Sequence, residues 1–326
     1  MSTTTTITMT QRAQAFLAER RRLGFQARTT GYALLSFARF MDRQYPKGLL
    51  TIERMTDWAR RDKQQRRTPA TWARRLRHLR PFARWLRQFE PRTEVPDESF
   101  FGPVPGRVAP HVYRENEIIE LLAAARGLNP PGSFRPLTYE TLFGLIASAG
   151  LRVSEALALR DRDVDLAAGT LTVRQTKFAK SRQLPLHPST VAALARYRAL
   201  RRRRAPSSAE MRFFVGTRGR RLGQPLGDRQ VHRVFIELRS KLGWINRGAH
   251  DAPRIHDLRH AFAVRRVMLW HNQGIDIDQM MLSLSTYLGH AKISNTYWYL
   301  SGVPELMALA GNKFQRFAES PGAHDE

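Results

Sequence analysis

Five short stretches in the last two thirds of the chain carry residue types that can act on a phosphate. The first is Gly150-Leu151-Arg152-Val153-Ser154-Glu155. Gly150 can end one helix, so Arg152 falls at the start of the next, where a planar guanidinium beside free backbone N–H groups can fork onto an anion. A surface pair with Glu155 is the commoner fate of such an arginine. The second is Lys177, in a turn between two strand-like runs, either solvated or able to reach into a groove and deliver a proton. The third is His256-Asp257-Leu258-Arg259-His260. On a helix, positions 256, 259 and 260 share a face, so His256 and Arg259 can point at one phosphate, with His260 as a structural hydrogen-bonding residue. Two histidines four apart also raise a zinc site. The Glu beside the first His of a metalloprotease is missing, however, and no third ligand is apparent. The fourth is Leu288-Gly289-His290, and the fifth is Tyr299, within Asn295-Thr296-Tyr297-Trp298-Tyr299. Tyrosines in such a setting ordinarily pack in a core or interface.

The elements that must position these residues are mainly helical. Thr10 suits the cap of a helix through Phe16 and Leu17 that stops at Gly24. A second helix begins near Thr30, with Leu34, Leu35, Phe37, Phe40 and Met41 on a broad apolar face, and a third covers Ile52 to Arg61. In the fourth, Thr68 and Pro69 form a cap and first-turn pair, and Trp72, Leu76, Leu79, Leu86 and Phe89 recur at helical spacing. Arg74, Arg75, Arg77, Arg80, Arg84 and Arg87 lie between them as candidate contacts to a polyanion, and Pro81 is expected to kink or divide the helix. Residues 91–112 hold five prolines and two glycines, which suits an extended linker.

Beyond it, helices are expected near Glu115 to Ala125, Leu137 to Ala149 and Arg152 to Leu159. Asp163 to Leu166, Leu171 to Gln175 and Gln183 to Leu186 have β character and read as a small antiparallel sheet. Helices dominate again after Pro188. Arg201 to Arg204 reads equally as a solvated helix end or a DNA contact. The expected class is therefore mainly α with a small antiparallel sheet. Residues 1–95 form a helical domain, 96–112 a Pro-rich linker, 113–302 an α+β domain, and 303–326 a C-terminal helix and disordered tail.

Charge narrows the partners. The chain of 326 residues holds 54 Lys and Arg against 28 Asp and Glu, a formal net charge of +26. Such an excess repels itself unless a polyanion is near, and nucleic acid gains from it by counterion release. Residues 1–113 carry 22 Lys and Arg against 9 Asp and Glu, so positive charge is densest in the N-terminal third. No segment approaches the roughly 20 apolar residues of a membrane-spanning helix, and the N-terminus does not read as a signal peptide. The absence of cysteine excludes disulfides, thiolate catalysis and Cys-ligated zinc, and is compatible with a reducing cytosol.

Taken together, the five stretches resemble the tyrosine recombinase (phage integrase) family: an Arg in G-L-R-x-S-E, a Lys in a β-turn, an H-x-L-R-H box, an L-G-H segment and a Tyr nine residues later. The N-terminal helices are similar to the family's core-binding domain, and residues 113–302 to its catalytic domain. The resemblance implies a site-specific recombinase acting on double-stranded DNA through a 3′-phosphotyrosyl intermediate and a Holliday junction. It implies a homotetramer on two DNA sites, related recombinases as further partners, a cytoplasmic, nucleoid-associated setting and no cofactor or metal. The implied roles are Tyr299 as nucleophile, Arg152 and Arg259 on the non-bridging oxygens, His256 as base, Lys177 as proton donor to the 5′-oxygen, and His290 on a phosphate oxygen. The lysine segment Gln175 to Arg182 lacks the glycine-flanked form often seen, which keeps Lys180 as an alternative to Lys177; Lys180 and Arg182 are also expected DNA contacts. The span from His260 to His290 is long for the family and suggests an extra turn or loop near Trp270 to Ile277. Leu306, Met307, Leu309, Ala310, Phe314 and Phe317 form an apolar face that either packs on its own domain or docks on a neighbouring protomer. A type IB topoisomerase and a DNA-binding accessory protein without cleavage are the alternative readings.

Overall fold

Most helix starts among the described residues carry a side chain that satisfies a free backbone N–H group. The computed structural model describes residues 7–25, 27–46, 48–61, 68–102, 106–174, 181–205, 208–290 and 292–298. The chain divides into two compact units, Met1–Arg107 and Val108–Glu326.

The N-terminal unit contains α1 (Met9–Arg22), α2 (Arg28–Gln44), α3 (Ile52–Arg60) and α4 (Pro69–Arg87). Thr51 and Thr68 cap α3 and α4 through their hydroxyls. The cap of α1 is Thr8, not Thr10: Thr8 and Gln11 exchange side-chain and backbone hydrogen bonds as a capping box. Thr10 instead donates its backbone N–H and its hydroxyl to Asp42 on α2. The α4 helix runs through Pro81 as one element, and ends before Phe89, which is exposed. Phe16, Leu17, Leu34, Phe37, Met41, Met55, Trp58, Leu76, Leu79 and Phe82 form the core shared by the four helices.

The C-terminal unit begins with α5 (Glu115–Arg126), α6 (Phe134–Ala149) and α7 (Val153–Ala158). Strands β1 (Val164–Asp165), β2 (Thr170–Val173) and β3 (Arg182–Pro185) follow, then α8 (Pro188–Arg204), α9 (Asp228–Leu242), α10 (Ile255–Asn272), α11 (Ile277–Leu288) and α12 (Ser294–Tyr297). The strands pair antiparallel in sequence order, with Leu171 opposite both Val164 and Leu184, and Val173 opposite Arg182. Val164, Leu171, Val173 and Leu184 are all buried, so the alternation fixes the register. Helix α6 is apolar on nearly every side and packs against α5, α8 and α10, which makes it the centre of the unit. Between His260 and His290, α10 continues to Asn272, a short turn follows, and α11 starts at Ile277, capped by Asp276. Among the described residues no helix is long and apolar enough to cross a membrane.

Candidate active site

Three helix ends meet at one buried carboxylate. Helix α6 stops at Gly150, whose φ of +60° is favourable only for glycine, and a Cβ there would lie 2.5 Å from the Phe262 ring. The chain turns directly into α7, with Arg152 as its N-cap residue. Glu155, three residues on, accepts the Arg152 backbone N–H at 3.0 Å and Arg152 Nη1 at 2.7 Å. The same carboxylate takes Arg182 Nη2 at 2.9 Å and Nη1 at 3.3 Å, and lies 3.8 Å from Arg259 Nη1. Burial by itself would raise the Glu155 carboxyl, but Arg182, Arg259 and the Arg152 backbone N–H outweigh it and hold the group down at about 2.

Arg259, on α10, has a side chain with 0% exposure. It donates to the carbonyls of Gly150 and Leu288, each at 2.6 Å. Those are carbonyls at the C-terminal ends of α6 and α11, where partners are missing and the helix dipoles place negative charge. Its Nη2 also lies 3.1 Å from His290 Nε2. A guanidinium only donates, so His290 Nε2 must accept, which leaves the ring proton on Nδ1 facing Thr296 Oγ1 at 2.8 Å. Both nitrogens of His290 are thereby engaged inside the protein. Thr296 is fully buried, and the bond fastens α12 to the cluster.

His256, at the first turn of α10, is exposed at its edge but closely surrounded. Desolvation first, then the cations of Arg259, Arg254 and Arg152, press its pKa down to about 4. His260 is buried, with its ring edge-on to His256 at 4.8 Å and to Trp298 at 5.3 Å, and is pushed down to about 2 by burial and the charges of its neighbours. Asp257 pins the start of α10 by accepting the Arg254 backbone N–H and pairing with its guanidinium. The cluster therefore presents neutral imidazoles and a surplus of cationic guanidiniums.

These shifts make the unit acid-sensitive in a definite direction. The folded His256 and His260 bind protons less readily than the unfolded chain, so stability falls as pH drops below about 6.5, and the depressed Glu155 adds to the loss below about 4.5. Thermal melting of the wild-type chain is expected to be level between pH 7 and 8 and to drop by more than about 5 °C by pH 5. A His260→Gln variant should show a shallower slope, and a level profile down to pH 5 would contradict the assignment.

The structure thus brings together Arg152, His256, Arg259 and His290. Tyr299, Lys177 and Lys180 lie outside the described residues. Tyr297 donates its hydroxyl to Asp278 on α11 at 3.2 Å. Of the six α4 arginines, Arg74, Arg77, Arg84 and Arg87 are exposed. Arg75 lies over the Trp58 ring and donates to the Trp58 carbonyl. Arg80 is buried and donates to the carbonyls of Asp97 and Glu98. Arg80 and Arg182, expected to face DNA, are turned inward because their guanidiniums fill internal acceptors. Glu155 and Thr296 had no assigned site role; the Arg152-to-Glu155 spacing of a cap and its third helical residue was the one signal for the former. A cavity of about 850 Å³ at the start of α9 is lined by Arg135, Arg218, Arg220, Arg221, Arg229 and Arg233 with Asp228 and Glu237, and by none of the expected site residues. Among the described residues no group of three or more His, Asp or Glu is arranged to hold a metal ion.

Residues 111–303 match the phage integrase family, and the chain belongs to that family of tyrosine recombinases. Site-specific DNA recombination is the activity class that this membership supports. Over 319 residues the chain is 40% identical to a Sinorhizobium fredii protein with the provisional name integrase/recombinase y4rB, covering 95% of this chain and 98% of that one. It is 30% identical to the tyrosine recombinase XerC of Chromobacterium violaceum over 70% of this chain and 68% of that protein. The fold is similar to that of the Tn1549 transposon integrase (residues 82–397) in complex with circular intermediate DNA, with TM-score 0.65 and 18% identity over 95% of this chain and 99% of that one. A lambda integrase dimer bound to a core site gives TM-score 0.60 and 18% identity over 90% of this chain and 77% of that one.

Proposed function

We propose that the chain cleaves and rejoins DNA at a specific site through a covalent 3′-phosphotyrosyl link to Tyr299. The observation that carries this reading is the convergence of Arg152 and Arg259 on Glu155, with His256 and His290 beside them. A phosphodiester resists attack because its anionic oxygens repel nucleophiles, and negative charge builds further at five-coordinate phosphorus. One carboxylate facing three guanidiniums leaves net positive charge for that phosphate. Arg152 is a third exposed and can fork onto a non-bridging oxygen. Arg259 supplies its charge from within the protein, with its N–H groups already directed to carbonyls and to His290.

The Tyr299 phenol, with an ordinary pKa of about 10, needs a base. His256 is neutral at physiological pH and accepts that proton, and the arriving phosphate raises its basicity. The phenolate oxygen bonds to phosphorus as the bond to the 5′-oxygen breaks, and Lys177 or Lys180 protonates that oxygen. Reversal by a second 5′-hydroxyl reseals the strand, and the energy kept in the phosphotyrosine removes any need for ATP. Strand exchange within a tetramer on two sites, through a Holliday junction, completes the proposed reaction. The exposed arginines of α4 and those lining the α9 cavity hold the phosphate backbone. This makes binding salt-dependent.

A pool of nicked duplexes with randomised arms tests the proposal, because the nick lets the short 5′-fragment leave and traps the adduct. The wild-type chain is expected to give a protein–DNA adduct that survives detergent and is removed by protease. Tyr299→Phe should give none while retaining DNA binding. Absence of a wild-type adduct, or an adduct that persists in Tyr299→Phe, defeats the reading.

A further inference from the structure

Arg182 opens β3 immediately after the segment that carries Lys177 and Lys180. Its side chain is only 11% exposed, and it joins three elements. Nε donates to the Tyr287 carbonyl in the last turn of α11 at 2.7 Å, while Nη1 and Nη2 grip both oxygens of Glu155 at the start of α7. The space it occupies is kept by Gly289, where a Cβ would lie 2.6 Å from Arg182 Nη1. The positive φ of Gly289 and the passage of this guanidinium therefore both require the absence of a side chain.

A carboxylate accepts at about four lone-pair sites. Arg182 fills two of those on Glu155, and the Arg152 backbone N–H and Nη1 take the others. With Arg182 in place, Glu155 cannot turn to seize Arg152 in a full bidentate pair, and the Arg152 guanidinium meets it through Nη1. The same carboxylate stands 3.8 Å from Arg259 Nη1. We propose that Arg182 is a positioning residue: it saturates and orients Glu155, so that Arg152 and Arg259 are held in the arrangement that receives the scissile phosphate. It also keys the first residue of β3 to the end of α11 just before His290. This inference rests on the strand-cleavage reading above.

A lysine in its place retains the charge but offers one ammonium, which cannot hold both Glu155 oxygens and the Tyr287 carbonyl together. Single-turnover adduct formation on a nicked duplex selected with the wild-type chain tests this, alongside DNA affinity and thermal melting. The proteins compared are wild type, R182K, R182Q, E155Q and the E155Q/R182Q double variant. R182Q and R182K are expected to slow adduct formation by about 100-fold, the scale of a small misplacement of reacting groups, with affinity changed less than about threefold. Because Arg182 acts through Glu155, the double variant should be no slower than E155Q alone. Should R182Q fail to fold, R182K carries the comparison, since it keeps a cation opposite Glu155. Three results overturn the proposal: wild-type rates in R182K, a loss of affinity large enough to account for the rate, or multiplicative effects in the double variant. A wild-type chain that forms no adduct overturns the cleavage reading itself, whereas a wild-type chain that cleaves beside an equally active R182Q overturns this inference alone.

Discussion

Replacing Arg259 by alanine is expected to abolish adduct formation and to destabilise the C-terminal unit by about 3–5 kcal/mol, the range for breaking a buried ionic network on one side. Both effects follow from one position. The guanidinium is wholly enclosed, and its removal leaves the carbonyls of Gly150 and Leu288 without the donor that joins them, His290 without its partner on Nε2, and a void within α10's packing. Arg152→Ala should behave differently. Arg152 is one third exposed and shares Glu155 with Arg182, so its loss should cost only about 1 kcal/mol of stability. The lost charge at the phosphate should still slow adduct formation by about a thousandfold, the scale of a missing transition-state donor. Neither exchange should weaken DNA binding by more than several-fold, since many other cations hold the backbone. Melting curves and single-turnover cleavage measured on both variants check the division. Equal destabilisation by the two would show that Arg152 is as structural as Arg259.

Much of this arrangement was legible because local rules act over short spans. Thr68 with Pro69 marked the start of α4, and Gly150 marked the end of α6. The five spaced stretches indicated the family before any coordinates. What could not be read was direction. An arginine looks the same whether it faces solvent or an internal acceptor, and the acceptor is usually remote in sequence. Arg182 meets Glu155 27 residues away, and Arg80 meets carbonyls 17 and 18 residues on. Arg201, read as one of four solvated or DNA-facing arginines, is fully buried against Asp161 at 2.6 Å, 40 residues distant. The α1 cap failed for a related reason: Thr8 and Thr10 are equivalent locally, and Asp42 on α2 decides between them.

Glu155→Gln tests whether the site is built as a surplus of positive charge awaiting a phosphate. The exchange keeps the shape of the side chain and removes one negative charge. Its amide nitrogen would face guanidiniums that can only donate, so at least one of the contacts to Arg152 and Arg182 is lost. Arg182 and Arg259 would then be buried cations with no carboxylate between them, at an expected cost of about 3–5 kcal/mol. An anion that binds the folded state should restore part of this, because it supplies the missing charge at the same place. DNA is therefore expected to raise the melting temperature of Glu155→Gln by more than it raises that of the wild type, and inorganic sulfate should do so to a smaller degree. A merely structural carboxylate, remote from the phosphate, would lower both melting temperatures equally with and without DNA. An unchanged DNA-induced shift in Glu155→Gln would accordingly separate this cluster from the place where the phosphate binds.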